Sequence, residues 1–311
     1  MSLQILKELP MEVPDQLIST LRDLCHPIST QMEALQQVVR GYVAKLSPSL
    51  EGNIDLWLVR NQNGHAKTLP LMDPFDVAVI SLAYLSVLLV LGSVMKVLPS
   101  PKETALFKAF VRLHNLFLTL LSLYMVFEIT RQAILSDYSI WFNNLDNTRG
   151  GWPMAKILWI FYVSKIYEFM DTIVMLLRKS FRQVTFLHVY HHCSIFPIWW
   201  LVVFMGPTGD SYFSAALNSF VHVVMYSYYL MATFHIIAPW KYYITIFQML
   251  QFAINFLQAF ALWYKKMPGY PVLLAQVLLF YMITLLVLFY NFYTTSKKAA
   301  QEKKRMEGKT Q

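Results

Sequence analysis

The feature that most constrains this chain is a series of seven apolar segments, each long enough to cross a lipid bilayer as a helix. A helix needs about 20 predominantly apolar residues to span the hydrocarbon core, and a barrel strand about half as many. The segments cover residues 77–97, 112–129, 154–177, 184–205, 213–237, 243–264 and 270–293. The sequence therefore predicts an all-α polytopic membrane protein with seven transmembrane helices.

Composition supports this class and divides the chain into three parts. Hydrophobic residues make up 56% of the chain and charged residues 14%, whereas soluble domains carry about a quarter charged residues. Residues 1–75 are mixed in polarity and predict short amphipathic helices that do not span. Residues 76–294 form the predicted transmembrane domain. Its first helix is expected to begin at Met72-Asp73-Pro74, because proline suits a first helical turn. Residues 295–311 form a basic tail.

The net charge of +8 reflects topology rather than nucleic-acid binding, because the basic residues flank the apolar segments. They cluster after the first segment (Lys96, Lys102, Lys108, Arg112), after the third (Arg178, Lys179, Arg182) and in the tail (Lys297, Lys298, Lys303, Lys304, Arg305, Lys309). The positive-inside rule then places the C-terminus in the cytosol and the N-terminus on the opposite side. Lys265 and Lys266 fall on the predicted non-cytosolic side, but they are fewer than the basic residues on the cytosolic side.

A histidine cluster, His188-Val189-Tyr190-His191-His192, lies inside the fourth segment. Ionisable residues within a membrane span are costly and usually face a protein interior or a cavity. Imidazoles three and four residues apart share one face of a helix. The cluster therefore indicates a site for chemistry.

Four other segments carry polar stripes that a lipid-facing helix would avoid. These are His114 and Asn115 in the second segment, Lys165, Glu168 and Asp171 in the third, Asn218 and His222 in the fifth, and Thr245, Gln248 and Gln251 in the sixth. Any one stripe is also explained by an ion pair or by interhelical hydrogen bonds. Together they predict a polar chamber or tunnel enclosed by the bundle.

Three classes of function fit such a chamber. A membrane metal oxygenase (a desaturase or hydroxylase) would use the histidines as ligands, but a second histidine box is missing, and we expect no metal. A transporter would show repeats or broken helices, and neither is evident. An acyl-transfer enzyme needs only an imidazole that attacks a thioester near neutral pH.

The motifs resemble those of one known family. They are Leu113-His114-Asn115, Lys165-x-x-Glu168-Phe169-x-Asp171-Thr172, His188-x-x-His191-His192, Asn218-x-x-x-His222-x-x-Met225-Tyr226-x-Tyr228-Tyr229 and Thr245-x-x-Gln248-x-x-Gln251. In this order, on separate segments, they resemble the signature of the ELO family of very-long-chain fatty acid elongases, which are 3-ketoacyl-CoA synthases. The resemblance runs from about residue 70 to 293.

The resemblance implies a decarboxylative condensation of an acyl-CoA with malonyl-CoA, with no further cofactor. In the family the second histidine of the cluster, here His191, is thought to carry the acyl group, with His222 opposite it. His188 and His192 would position groups or relay protons, and Asp171 would orient a histidine. Asn218, Gln248 and Gln251 are alternative oxyanion donors, between which the sequence does not choose.

The resemblance also implies where the substrates lie. Arg178, Gln183, Lys241 and Thr245 would hold CoA at the cytosolic mouth, and Lys165, His188, Asn218 and Tyr228 would line the path deeper in. Asn115 belongs to the same expected set.

Residues 183–200 and 212–218 resemble polyunsaturated-fatty-acid elongases of fungi, algae and mosses, which favours C18 polyunsaturated (Δ6-type) acyl-CoA. The expected location is the endoplasmic reticulum membrane. Expected partners are membrane lipid and the ketoacyl-CoA reductase, dehydratase and enoyl reductase of the elongation cycle. A homodimer remains open, and nucleic acid is not expected.

Overall fold

The computed structural model describes Leu6, Leu9, residues 11–99 and residues 103–307. Lys102 of the predicted basic loop and residues 308–311 of the predicted tail lie outside these residues. Within the described part, the chain forms nine α-helices and no strand. They are α1 Asp15–Leu46, α2 Pro48–Asn61, α3 Pro74–Val97, α4 Ala105–Leu135, α5 Trp152–Leu177, α6 Phe186–Met205, α7 Ser211–Thr233, α8 Ile244–Lys265 and α9 Val272–Glu307.

The helices confirm the all-α polytopic class. By length and composition, α3, α4, α6, α8 and the Val272–Ala299 part of α9 can each cross a membrane. Helices α5 and α7 coincide with the predicted third and fifth spans, but they are more polar and are not among these five. Seven membrane crossings therefore remain a prediction.

Six helices form a closed ring. Going round it, α4 packs on α5, α5 on α6, α6 on α9, α9 on α8, α8 on α7 and α7 on α4. Helix α3 stands outside the ring against α5 and α6. The more polar α5 and α7 lie on either side of α4 and contact each other. This ring is the framework of the predicted chamber.

The N-terminal segment differs from the prediction of short helices. Helix α1 alone has 32 residues, which makes the expected length wrong. Apolar residues recur at helical spacing throughout this stretch, and neither Pro27 nor Gly41 ends the helix. At the other end of the chain, α9 continues without a break through residue 294, where we had placed the start of the tail.

The N-terminal segment packs against one end of the ring. Three side chains of the bundle donate hydrogen bonds to its carbonyl groups: Trp159 Nε1 to Pro70 O at 2.9 Å, Tyr162 OH to Leu71 O at 3.1 Å and Trp200 Nε1 to Met72 O at 3.0 Å. A buried backbone carbonyl needs such a partner. These bonds therefore fix the end of the N-terminal segment to α5 and α6.

Capping residues fix where two of the helices begin. Asp73 accepts a hydrogen bond from Phe75 N, with Pro74 in the first turn of α3, as the sequence predicts. Thr185 accepts one from His188 N and caps α6. A side-chain acceptor satisfies an amide that has no partner inside the helix. The Thr185 cap therefore places the histidine cluster in the first two turns of α6.

Candidate active site

A cavity of about 750 Å³ occupies the ring, within the range typical of small-molecule sites. It runs from a charged mouth at the end where α5 and α7 finish to the histidines of α6. Its wall includes all three clustered histidines and most of the predicted polar stripes. The predicted residues on it are Asn115, Asp171, Arg178, Gln183, His188, His191, His192, Asn218, His222, Tyr228, Gln248 and Gln251.

A second, narrow cavity of about 40 Å³ continues toward the end of the ring where α7 and α9 begin. Its wall is mainly apolar and comes from α6, α7, α8 and α9. At the far end, Ser211 Oγ and Tyr270 OH are hydrogen-bonded at 2.9 Å, and Leu274 lies beside them. Among the residues that the structure describes, four border both cavities: His191, Asn218, Gln251 and Phe252.

His191 is the one histidine at the junction of the two cavities. Its ring is only half-buried and meets the ring of His192 edge to face, with centroids 5.3 Å apart. His192 is 6% exposed, and its Nδ1 has no hydrogen-bond partner. His191 therefore presents its ring to the space between the cavities, with His192 behind it.

His188 is held by a residue to which we had assigned no role. Its Nε2 lies 2.8 Å from Thr172 Oγ1, and that hydroxyl lies 2.9 Å from Tyr84 OH. The chain of three groups links α3, α5 and α6. It orients His188 on the cavity wall.

Asp171 contacts a histidine outside the cluster, on α4. Its Oδ1 lies 2.8 Å from His114 Nε2, and Tyr226 OH donates to its Oδ2 at 2.7 Å. With Asp171 acting as an acceptor, this hydrogen bond requires the His114 tautomer that carries its proton on Nε2. Asp171 thereby joins α4, α5 and α7 at the cavity wall.

Lys165 and Glu168 form a buried ion pair inside α5. Lys165 Nζ lies 2.7 Å from Glu168 Oε1, and these residues are 0% and 1% exposed. His222 Nδ1 lies 3.4 Å from the same oxygen, in ion-pair range but without the geometry of a hydrogen bond. The carboxylate thus connects the lysine to the histidine of α7.

Two amides extend this network to the cavity junction. Lys165 Nζ donates to Asn218 Oδ1 at 3.4 Å, and Asn218 Nδ2 donates to Gln251 Oε1 at 3.4 Å. Gln251 Nε2 is thereby left to donate toward the cavity. The third candidate donor, Gln248, instead directs its Nε2 at Met225 Sδ, 3.7 Å away.

The mouth of the large cavity is basic. Lys108, Arg112, Arg178 and Arg182 line it together with Glu103. Arg178 Nε lies 2.8 Å from Glu103 Oε1 in a half-exposed ion pair that lacks hydrogen-bond geometry. Arg112 donates to Thr233 O at 3.4 Å. An anionic group entering the cavity meets these cations first.

Three predicted substrate residues do not line the large cavity. Lys165 lies behind its wall, because the ion pair with Glu168 holds it there. Thr245 is absent from the wall. Lys241 is also absent from it, and its Nζ lies 6.0 Å from the ring centre of Tyr228. Lys241 therefore lies next to a residue of the wall, Tyr228.

Sequence reasoning overlooked other residues of the site. Thr172 and Tyr226 occur in the quoted motifs, so their signal was present but carried no assigned chemistry. Lys108, Arg112 and Arg182 were interpreted only as topology signals. Among the described residues, no three His, Cys, Asp or Glu side chains are arranged to hold a metal ion.

Comparison with known proteins identifies the family. The family model described as ELO, GNS1/SUR4 family, matches residues 69–305. The chain belongs to the ELO family. Fatty acid elongase 6 of Leishmania major is 39% identical over 263 residues, covering 81% of this chain and 68% of the relative. Very long chain fatty acid elongase 2 of Mus musculus is 40% identical over 206 residues, covering 65% and 70%.

A third relative, very long chain fatty acid elongase 5 of Tachysurus fulvidraco, is 42% identical over 202 residues, covering 61% of this chain and 67% of its own length. The recognised family is thus confirmed, and with it a role in fatty acid elongation and a multi-pass membrane location. The resemblance to elongases of polyunsaturated chains stays a prediction. The family match begins at residue 69, so α1 and α2 lie outside this ELO-family region.

Proposed function

We propose that this ELO-family protein is a 3-oxoacyl-CoA synthase that joins an acyl-CoA to malonyl-CoA. The products are a 3-ketoacyl-CoA two carbons longer, carbon dioxide and free CoA. The observation that carries the proposal is the position of His191 at the junction of the two cavities. A carrier at this point can receive an acyl chain from the narrow cavity and pass it to a partner in the wide one.

In the first step, a ring nitrogen of neutral His191 attacks the thioester carbonyl carbon of the acyl-CoA. A carbon–nitrogen bond forms, the carbon–sulfur bond breaks, and CoA leaves as the thiol with the proton from the imidazole. The narrow cavity beyond His191 marks the path of the acyl chain, and the side chains that line it must move apart to admit one, because about 40 Å³ holds only a few water-sized groups. Its apolar wall suits a hydrocarbon, since burying apolar surface is favourable.

The oxyanion of this step needs hydrogen-bond donors that are already in place. The chain from Lys165 through Asn218 to Gln251 supplies them. The lysine polarises the first amide, which polarises the second, and Gln251 Nε2 is free to donate at the junction. This order favours Asn218 and Gln251 over Gln248, which is directed at Met225.

In the second step, malonyl-CoA loses carbon dioxide, and its C2 carbon attacks the acyl-imidazole carbonyl. A carbon–carbon bond forms, the carbon–nitrogen bond breaks, and the leaving imidazole nitrogen takes up a proton from water that enters through the wide cavity, which regenerates neutral His191. His222 borders the wide cavity only and lies beside the Glu168 carboxylate. We assign it to the malonyl thioester, whose oxygen becomes negative as carbon dioxide leaves.

The remaining predicted residues position this machinery. Thr172 fixes His188, and His192 packs behind His191. Arg178, Gln183 and the neighbouring cations of the mouth would bind CoA phosphates, because charge-assisted hydrogen bonds favour phosphate. Asn115 and Tyr228 complete the wall along the pantetheine path.

The acyl specificity rests on resemblance. The sequence of α6 and the start of α7 resembles elongases of polyunsaturated chains, and two relatives are named very long chain fatty acid elongases 2 and 5. We propose C18 polyunsaturated acyl-CoA as the substrate class. The proposed setting is the endoplasmic reticulum membrane with a cytosolic C-terminus, where a ketoacyl-CoA reductase, a dehydratase and an enoyl reductase would act on the product.

The decisive experiment measures the acyl-enzyme directly. Purified protein is incubated with acyl-CoA alone and examined by intact-protein mass spectrometry, with peptide mapping to locate the added mass. We expect one acyl group on His191, discharge on adding malonyl-CoA, and neither event in His191→Ala. Tyr190→Phe is the matched control, because Tyr190 lies on the same helix and lines neither cavity. Condensation by His191→Ala, or an adduct on another residue, contradicts the mechanism.

A further inference from the structure

Helix α1 carries an uncovered apolar stripe. Its members are Leu35, Val38, Val39 and Tyr42, with exposures of 49%, 56%, 41% and 64%. They recur at intervals of three and four residues, which places them on one face of the helix. A contiguous exposed apolar surface of this kind marks a contact with a membrane or another molecule.

Contacts at both ends of α1 fix the direction in which it runs. Near its start, Asp15 accepts hydrogen bonds from Lys156 Nζ at 2.7 Å and Trp152 Nε1 at 2.9 Å. The hydrogen bond from Lys156, and to a smaller extent the one from Trp152, lowers the pKa of Asp15. Further along, Gln36 Nε2 donates to Asp73 Oδ2 at 3.1 Å.

All these partners lie at one end of the bundle. Trp152 and Lys156 are in the first turns of α5, and Asp73 is the N-cap of α3. Asp15 and Gln36 are separated by about 31 Å at a rise of 1.5 Å per residue. A helix parallel to the spans would carry these contacts to opposite ends, about 30 Å apart. Helix α1 therefore runs across the bundle end, in the plane of the membrane.

The charge of α1 points to an uncharged partner. The acidic residues Asp15, Asp23 and Glu33 balance the basic residues Arg22, Arg40 and Lys45. Helices that lie in a bilayer surface combine an apolar face with a polar face and low overall hydrophobicity. Without a net positive charge, insertion of the apolar face, rather than attraction to anionic lipid, has to hold α1.

The stripe continues a surface that already faces lipid. Helix α3 can cross the membrane and exposes Leu82 and Leu89 at 62% and 72%. Gln36 ties α1 to the first residues of that helix. This bond holds the part of α1 that carries the stripe at the end of a helix whose exposed leucines suit lipid.

We propose that α1 is a bilayer-surface helix whose apolar stripe inserts into the leaflet at the end of the bundle where α3 and α5 begin. The N-terminal segment would then be anchored twice, to the bundle through Asp15 and Gln36 and to lipid through the stripe. This inference does not depend on the proposed reaction.

Spin labelling in lipid nanodiscs tests the orientation. The full chain, with Cys25 and Cys193 replaced by alanine, receives one nitroxide at Val39→Cys or at Gln37→Cys. The second position is the matched control, because it is exposed and lies two residues, about 200°, round the helix. The nanodisc contains only phosphatidylcholine, and relaxation is measured with oxygen, which concentrates in lipid, and with a water-soluble nickel chelate.

At position 39 we expect strong relaxation by oxygen and weak relaxation by the chelate, and the reverse at position 37. Equal chelate access at the two positions would place the stripe in water and overturn the proposal. Protection of position 39 from both reagents would assign the stripe to a protein contact instead. Photoactivatable phosphatidylcholine supplies a second measurement on the unmodified chain. Crosslinks must map to the 35–42 peptide, and their absence there counts against insertion.

Discussion

Asp171 Oδ1 lies 2.8 Å from His114 Nε2, which connects α5 to α4 across the wall of the large cavity. The other carboxylate oxygen accepts from Tyr226 on α7. One acidic side chain thus fixes three helices of the ring beside the histidine cluster. Both neighbours donate, so the site requires a group with two accepting oxygens.

In Asp171→Asn, one carboxylate oxygen becomes an NH2 group. This NH2 donor would then face either His114 Nε2 or Tyr226 OH, and that neighbour would lose its acceptor. Leaving one of these buried donors unpaired costs about 1–3 kcal/mol. If the amide nitrogen faces Tyr226, the double variant Asp171→Asn/Tyr226→Phe recovers part of that loss. Thermal unfolding of the purified single and double variants measures the coupling. Strict additivity would show that the carboxylate does not link the two residues as described.

Substitutions in the Lys165–Glu168 pair should affect the stability of the protein and its activity differently. Glu168→Gln leaves the Lys165 ammonium without its counter-charge in a site with 0% exposure, a change that costs about 3–5 kcal/mol. Lys165→Met/Glu168→Gln removes both charges and should restore much of the unfolding temperature. It should not restore condensation, because His222 still lacks its carboxylate and Asn218 its donor. A double variant with full activity would contradict the role assigned to this network.

Arg178 at the mouth should act on binding rather than on chemistry. Arg178→Ala is expected to raise KM for CoA thioesters several-fold with little change in kcat, which indicates loss of uniform binding. The defect should shrink in high salt, where charge attraction is screened. Lys179→Ala is the matched control, because Lys179 contacts Leu98 O and does not line the cavity. If the two substitutions raised KM equally, Arg178 would make no specific contact with the CoA thioester.

The far end of the narrow cavity should limit chain length. Leu274 is 3% exposed and lies at this end, whereas Leu273 is 37% exposed and is absent from the wall. Leu274→Ala is expected to lengthen the longest product and to cost about 2–5 kcal/mol of stability, as large-to-small core changes do. Leu273→Ala should leave the product distribution unchanged. Gas chromatography of products from an acyl-CoA series measures both, and an unaltered limit in Leu274→Ala would place the closed end elsewhere.

Local patterns of the sequence determined the class of fold and the presence of a polar interior. Lengths of apolar segments predicted the helices because the bilayer sets one thickness for all of them. Asp73 and Pro74 fixed the start of α3, since capping depends on neighbours within one turn. The motifs also identified the family that the comparison confirmed.

The tertiary structure decided which motif residues meet. Helical spacing paired Lys165 with Glu168, but only ring closure brought Asn218 and Gln251 to that pair and His114 to Asp171. The sequence could not rank the three candidate oxyanion amides, because their environments come from helices far apart along the chain. Likewise, His191 differs from its neighbours only through the two cavities it borders, and cavities form from packed side chains of several helices rather than from any one segment.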